Sequence, residues 1–297
     1  KRYIKTEEPL VSVLIRTCGR PQVLKRALES IRGQTYPNLE VVIVEDGMPT
    51  AQKMLQTDYA DFPFPCLYEA TGKHVGRSRA GNRAMQLSSG KYLNFLDDDD
   101  GLLPDHVECL VRALSTRTEQ AAYSVAQERQ VTCRNGRKSC AVKACKKAGE
   151  RQRVRKQFVR YRQKFNRLLL YTDNYIPIQS ILFERSLFER FGGFDEELGA
   201  FEDWDLWVRY SLCTDFVYVD RVTSYYYVPY ARKKKKERAV AFHENKMKLD
   251  RKFQKYKMQI AVSDIHKEML YVLRHYKEKK LIRYLRLFFR VVLLGER

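Results

Sequence analysis

Apolar residues in the first hundred positions follow two rhythms. Short apolar runs, Val11 to Ile15 with a single Ser12 and Val41 to Val44 unbroken, read as strands buried on both faces, because a strand with one wet face would alternate throughout. After a turn at Thr17 to Pro21, Val23, Leu24, Ala27, Leu28 and Ile31 fall at the three- and four-residue spacing of one helix face. A third short strand near Leu67 leads through Gly72 and Gly76 to a helix at about 77–88, and Tyr92 to Leu96 is a fourth strand. Strand, helix, strand, helix predicts an α/β fold with a mostly parallel sheet and crossover helices.

In such sheets ligands bind outside the carboxyl ends of the strands. The polar residues that end three of the strands are Thr17, Glu45 with Asp46, and the run Asp97 to Asp100, so all three groups are expected in one cleft. Four adjacent aspartates repel one another and raise each other's pKa. A divalent cation relieves that cost, and hard oxygen ligands select Mg or Mn. Acidic residues favouring the N-terminus of the following helix are the alternative.

Farther on, Val107, Leu110, Val111 and Leu114 mark a helix, with another strand before residue 130. Val154, Phe158, Tyr161, Phe165 and Leu168 then recur among Arg and Lys, which predicts an amphipathic cationic helix. Tyr175 to Phe183 reads as a strand, Phe191 to Asp195 as a turn, and Trp204, Trp207, Val208 and Ser211 as a helix whose tryptophans are mainly core. After the run Lys233 to Lys236, helical patterns continue to the end. There Arg283, Arg286 and Arg290 stand among Leu, Ile, Phe and Val in an interfacial pattern.

With 44% hydrophobic residues in 297, the chain can bury a core, which excludes global disorder. Its net charge of +20 is unevenly placed. Residues 131–170 hold 14 Lys+Arg against one acid, and residues 231–297 hold 21 against seven, so the remaining body is slightly acidic. Two basic attachments call for an anionic partner or form a solvated charged face or an oligomer contact, and Arg among Leu and Phe suits an anionic membrane surface better than nucleic acid, which is not expected. No apolar run reaches the length of a membrane span, and no leader pattern opens at Lys1, so neither a span nor a secretory signal is expected. Seven cysteines without a C-x-x-C pair suggest a reducing compartment. Cys133, Cys140 and Cys145 have gaps unlike zinc knuckles and read as structural thiols, with metal binding left open.

Val11 to Thr17, Val42 to Gly47, Gly76 to Asn82, Gly90 to Asp100, and Gly192 to Glu196 with Glu202 to Trp207 resemble, in order, the motif series of family-2 glycosyltransferases. The resemblance implies a GT-A fold, Rossmann-like and mostly parallel, here with a basic helical insert and a C-terminal helical extension. Its parts would be a nucleotide-sugar half (1–130), the insert (131–170), an acceptor and catalytic-base half (171–230) and the extension (231–297). It implies a metal-dependent inverting enzyme that moves a sugar from a UDP- or dTDP-sugar to a glycan or polyprenyl-linked saccharide in surface polysaccharide synthesis. Such an enzyme would be cytoplasmic, on the inner face of a bacterial membrane. Carried over by position, Thr17 and Asp46 meet the nucleoside, Glu45 stands in the donor site where the family often has Asp, Arg79 and Asn82 approach the donor, and Asp97 and Asp99 are the outer members of a D-x-D around Asp98, itself on the donor side. Asp99 is then the direct ligand of Mn or Mg, and Asp203 is the catalytic base, beside Glu202. His243 is a possible further ligand and Trp204 a possible acceptor platform. A non-catalytic basic scaffold on a degenerate transferase-like body is the alternative.

Overall fold

The computed structural model describes residues 8–133, 152–229 and 235–257, with His266 and Leu270 beyond them. The chain begins β1 (Val11–Thr17), α1 (Pro21–Arg32), β2 (Leu39–Glu45), α2 (Gln52–Asp58), β3 (Cys66–Ala70), α3 (Arg77–Leu87) and β4 (Tyr92–Asp97). The four strands are parallel in the order β3-β2-β1-β4, as the run pattern predicts. Alternation along each strand divides the core into two layers. Val11, Val13, Ile15, Val41 and Ile43 pack with Leu24, Ala27, Leu28 and Ile31 of α1. Leu14, Val42, Val44, Leu93 and Phe95 pack with Ala80, Ala84 and Met85 of α3. Both faces of β1, β2 and β4 are covered, so their positions gain from burial, about 1.5–3 kcal/mol for each large aliphatic side chain, whereas the edge strand β3 leaves Cys66 and Leu67 exposed. Only α2 escapes the sequence pattern: one buried residue, Met54, gives it no periodicity to read.

The chain continues with β5 (Gly101–Leu102), α4 (His106–Leu114), β6 (Ala121–Cys133), β7 (Gln152–Arg160), α5 (Arg167–Thr172), β8 (Ile181–Glu184), α6 (Arg185–Phe191), α7 (Glu202–Ser211), β9 (Phe216–Pro229) and α8 (Lys235–Phe253). Here the sheet turns mixed. β8 runs antiparallel to β4 and to β6, β9 lies parallel to β6, and β5 closes antiparallel on β9.

The expected cationic helix of the insert is not a helix. Gln152–Arg160 is a strand paired antiparallel with β6, in which Phe158 faces Glu128 and Lys156 faces Gln130. Val154 and Phe158 are four apart, a spacing that fits one helix face and one strand face equally well. The long edge of β6 decides for the strand. The basic residues 134–151, the stretch with Arg283, Arg286 and Arg290, and the side chains of Cys133, Cys140 and Cys145 lie outside the described residues. The Tyr175–Phe183 strand shortens to Ile181–Glu184, because Pro177 leads into a 3-10 turn at Ile178–Ser180. β9 carries no alternation that announces it. The extension is helical as expected over Lys235–Phe253, and its buried Leu249 and Phe253 join the core layer that holds α7. Among the described residues, no helix is long and apolar enough to cross a membrane.

Candidate active site

Register places the strand ends together. Thr17 lies opposite Glu45 and Arg16 opposite Asp97, so β1, β2 and β4 end at one edge. Thr17 Oγ1 donates to Asp98 Oδ2 at 2.6 Å. The buried Glu45 carboxylate accepts from Gly19 N (3.1 Å), Ala51 N (3.0 Å), Tyr68 OH (2.6 Å) and the Thr50 hydroxyl, so protein donors take it up and it anchors the loops around the cleft. Asp46 donates its amide to Thr17 O at 2.8 Å, and its carboxylate accepts from Val75 N (2.6 Å) and Gly76 N (3.2 Å). The loop entering α3 is fixed this way. Gly76 itself has φ +95°, where a side chain would strain the backbone.

The aspartate run forms the turn between β4 and β5. Arg16 donates to Asp97 Oδ1 through Nε (2.9 Å) and Nη2 (2.7 Å) and, against the opposing pull of burial, holds that carboxyl below its usual range. Arg20 pairs with Asp98 and, at 3.4 Å, with Asp99. Burial, reinforced by Asp99 and opposed by Arg20, pushes Asp98 up to about 7. Burial with Asp99 and Asp97 raises Asp100 as well. From the far side β9 secures the turn, with Gly101 opposite Tyr225 and Leu102 opposite Ser224.

The second acid group begins α7. Phe201, just before it, has φ +65°, a left-handed conformation costly for an aromatic residue and the kind of strain that gathers at functional sites. Glu202 is buried and accepts from Arg16 Nη1 at 3.0 Å, with Arg77 3.6 Å away. Asp203 accepts from Trp204 N (2.8 Å) and Asn174 Nδ2 (3.2 Å). Burial and the neighbouring Glu202 nevertheless push it up to about 7. One guanidinium therefore touches both acid groups. Arg16 bonds Asp97 and Glu202, residues far apart in sequence, and sits beneath the rings of Phe95 (5.6 Å) and Phe194 (5.3 Å).

The remaining candidates fall elsewhere. Arg79 donates to Glu196 at 2.8 Å, and Asn82 donates to Phe194 O (3.0 Å) and Glu196 (3.1 Å), so both face the 192–196 loop. Trp204 is 4% exposed, with Phe201 and Phe253 edge-on and Lys246 over its ring, which leaves no face for an acceptor sugar. Trp207 is fully buried, as expected of a core residue. His243 is exposed on α8. Sequence reasoning missed Arg16, Arg20, Arg77 and Asn174. The signal for Arg16 is its place inside an otherwise buried strand, where a charge needs partners.

The turn also fits a hard divalent cation. Its side-chain donors are carboxylate oxygens, those of Asp98 and Asp100 raised by burial and mutual repulsion, and among the described residues Asp99 is held by the long contact from Arg20.

Comparison with known proteins adds to this geometry. The family model described as Glycosyl transferase family 2 matches residues 12–191. The chain is 29% identical over 124 residues to the putative glycosyltransferase EpsH of Bacillus subtilis, covering 41% of this chain and 35% of that protein. It is 38% identical over 104 residues to the chondroitin synthase of Escherichia coli, covering 34% of this chain and 15% of that one. The chain thus spans a minor part of the length of either relative. Among solved structures, S. aureus TarS 1-349 in complex with UDP-GlcNAc superimposes with a TM-score of 0.62 at 16% identity, over 95% of this chain and 74% of that one. The mannosyltransferase PcManGT of Pyrobaculum calidifontis, in complex with GDP-Man and Mn2+, does so with 0.58 at 16%, over 98% and 82%. The fold is GT-A.

Proposed function

The chain belongs to glycosyl transferase family 2, and on that premise we propose that it transfers a sugar from a UDP- or dTDP-sugar to a glycan hydroxyl with inversion at the anomeric carbon. The observation that carries the proposal is Arg16, which ties Asp97 of the aspartate turn to Glu202, the neighbour of Asp203. Donor and acceptor chemistry then share one cleft. The nucleotide-sugars named with the neighbouring structures support a donor of this class.

In this reading Thr17 and Asp46 flank the nucleoside, and Asp46 accepts a hydrogen bond from the base. Asp97 and Asp99 would hold Mn or Mg, which would supply a Lewis acid for the charge that grows on the departing diphosphate. Asp203 takes the proton of the acceptor hydroxyl as that oxygen bonds to the anomeric carbon. The bond from that carbon to the diphosphate breaks, and its electron pair leaves with the diphosphate. A base poised near neutrality suits this task, and burial beside Glu202 poises Asp203 there. Asn174 and Trp204 N orient the carboxylate. The acceptor is a polyprenyl-linked saccharide in surface polysaccharide synthesis, presented at an anionic membrane face where the chain docks through its basic parts. Within the described residues these include the β7 ribbon, where Val154, Phe158, Val159 and Tyr161 stand exposed among Arg153, Arg155, Lys156 and Arg160.

The test is turnover of UDP- and dTDP-sugars with Mn. Asp203→Asn lowers kcat by about 10²- to 10⁴-fold while donor binding, followed by thermal shift, is retained. In the wild type, kcat/KM rises with pH through about 7 as Asp203 ionises. Retention of more than about a tenth of wild-type turnover by Asp203→Asn excludes the assignment.

A further inference from the structure

Beyond the carboxylate turn, Cys18 follows β1, Asp46 follows β2 and His74 lies in the loop entering α3, at the same edge of the sheet. Cys18 Sγ is 3.7 Å from His74 Nδ1, and His74 Nδ1 is 3.9 Å from Asp46 Oδ2. One ligand atom from each residue lies within 4.8 Å of the other two, and no other such grouping occurs among the described residues. We propose that these three side chains form a second metal site, selective for a thiophilic divalent cation of the zinc class.

The spacing carries the proposal. Zinc bonds of about 2.3 Å to sulfur and 2.0–2.2 Å to nitrogen or oxygen, set tetrahedrally, put neighbouring ligand atoms about 3.3–3.6 Å apart. The Sγ–Nδ1 separation of 3.7 Å is close to this spacing, the Nδ1–Oδ2 separation of 3.9 Å has about half an ångström to close, and the Cys18 and Asp46 ligand atoms lie within 4.8 Å of each other, so side-chain rotation without backbone movement brings the three together. The surroundings hold the donors in place. Asp46 Oδ1 accepts from Val75 N and Oδ2 from Gly76 N at 3.2 Å, and these bonds fix the carboxylate with Oδ2 3.9 Å from the imidazole, as outer hydrogen bonds orient metal ligands. Gly47, at φ +129°, lets the imidazole lie against its Cα; a Cβ there would stand 3.3 Å from His74 Cε1. Donor chemistry separates this site from the aspartate turn. Oxygen ligands alone select Mg or Mn, whereas thiolate with imidazole selects zinc.

Three protein ligands leave a fourth position open. Because the functional reading above gives Asp46 to the nucleoside base, a cation on this triad excludes the donor, and zinc acts as a competitive inhibitor. That consequence rests on the functional reading; the metal site itself does not.

Cobalt(II) titrated into the full chain separates the two. The expected result is a thiolate-to-cobalt charge-transfer band that zinc displaces, Cys18→Ser abolishes and Asp99→Asn leaves unchanged, with affinity at least tenfold weaker in His74→Ala. No band in the wild type, or an equal band in Cys18→Ser, overturns the site. Saturating UDP, its binding verified by thermal shift, weakens cobalt binding at least tenfold. If UDP binds and the band does not respond, the competition is overturned while the metal site stands.

Discussion

The two halves of the sheet are built on different logic. From β3 to β4 the strands are parallel, short and in register, with β1, β2 and β4 buried, and their carboxyl ends gather Thr17, Asp46 and the aspartate turn at one edge. From β8 to β5 the pairing is mixed and the strands range from two to fourteen residues. There the second acid group comes from the start of a helix instead. The first half places chemistry by repetition, and the second places it through side-chain ties reaching back to the first. The strongest of these ties is Arg16, a residue of the parallel half whose guanidinium serves Glu202 of the other.

Breaking that tie tests the comparison most severely. Arg16→Met leaves Asp97 and the buried Glu202 without their shared cation, and the expected loss is roughly 3–5 kcal/mol of stability, read as a lower urea midpoint. A loss below about 1 kcal/mol, the range of an exposed pair, would make the halves independent. Charge is the next lever, because Asp98 in one half and Asp203 in the other are both raised to about 7. A carboxyl whose folded-state pKa lies above its unfolded value loses stability as pH rises from about 4 to 7 and stays level above that. Tm in scans without added metal therefore falls by several degrees across this window. Mn added at pH 7.5 restores much of the Asp98 share, has little effect at pH 5, and loses its effect in Asp99→Asn. The smallest effect concerns the edge of the second half. Full-length protein floats with anionic vesicles and not with neutral ones, and Arg153→Gln weakens that partition by about fivefold, from about 1 kcal/mol per basic residue near the surface. Equal flotation with both vesicles would remove the membrane from the proposal.

The same contrast governs what the sequence discloses. In the parallel half, unbroken apolar runs leave one reading, and the acids at their ends follow from the rule for such sheets. Thr17, Asp46 and Asp97 to Asp100 are accordingly legible by position, and the structure gathers them at one edge. In the mixed half the partner of a strand lies far along the chain. Val154 and Phe158 fit helix and strand alike until β6 is known, so the insert reads wrongly. Asp203 is legible only through resemblance, since an acid in a first helical turn is ordinary. The arginines are hidden for another reason. A long side chain reaches acids from either half, and its destination is set by packing that no local pattern encodes. Arg79 and Asn82 illustrate the converse: their segment lies beside the cleft, yet their side chains turn to Glu196.

Phe201 bears on the reach of the C-terminal helix. A left-handed aromatic residue keeps its conformation only while its ring is held, and the ring lies edge-on to Trp204 (5.9 Å) and to Phe242 of α8 (5.0 Å). Asn245 of the same helix accepts from Gly199 N at 2.9 Å, two residues before the strained position. α8 thus acts as a splint on the turn that aims Glu202 and Asp203, so whatever seats or lifts this helix also sets the bearing of that acid pair.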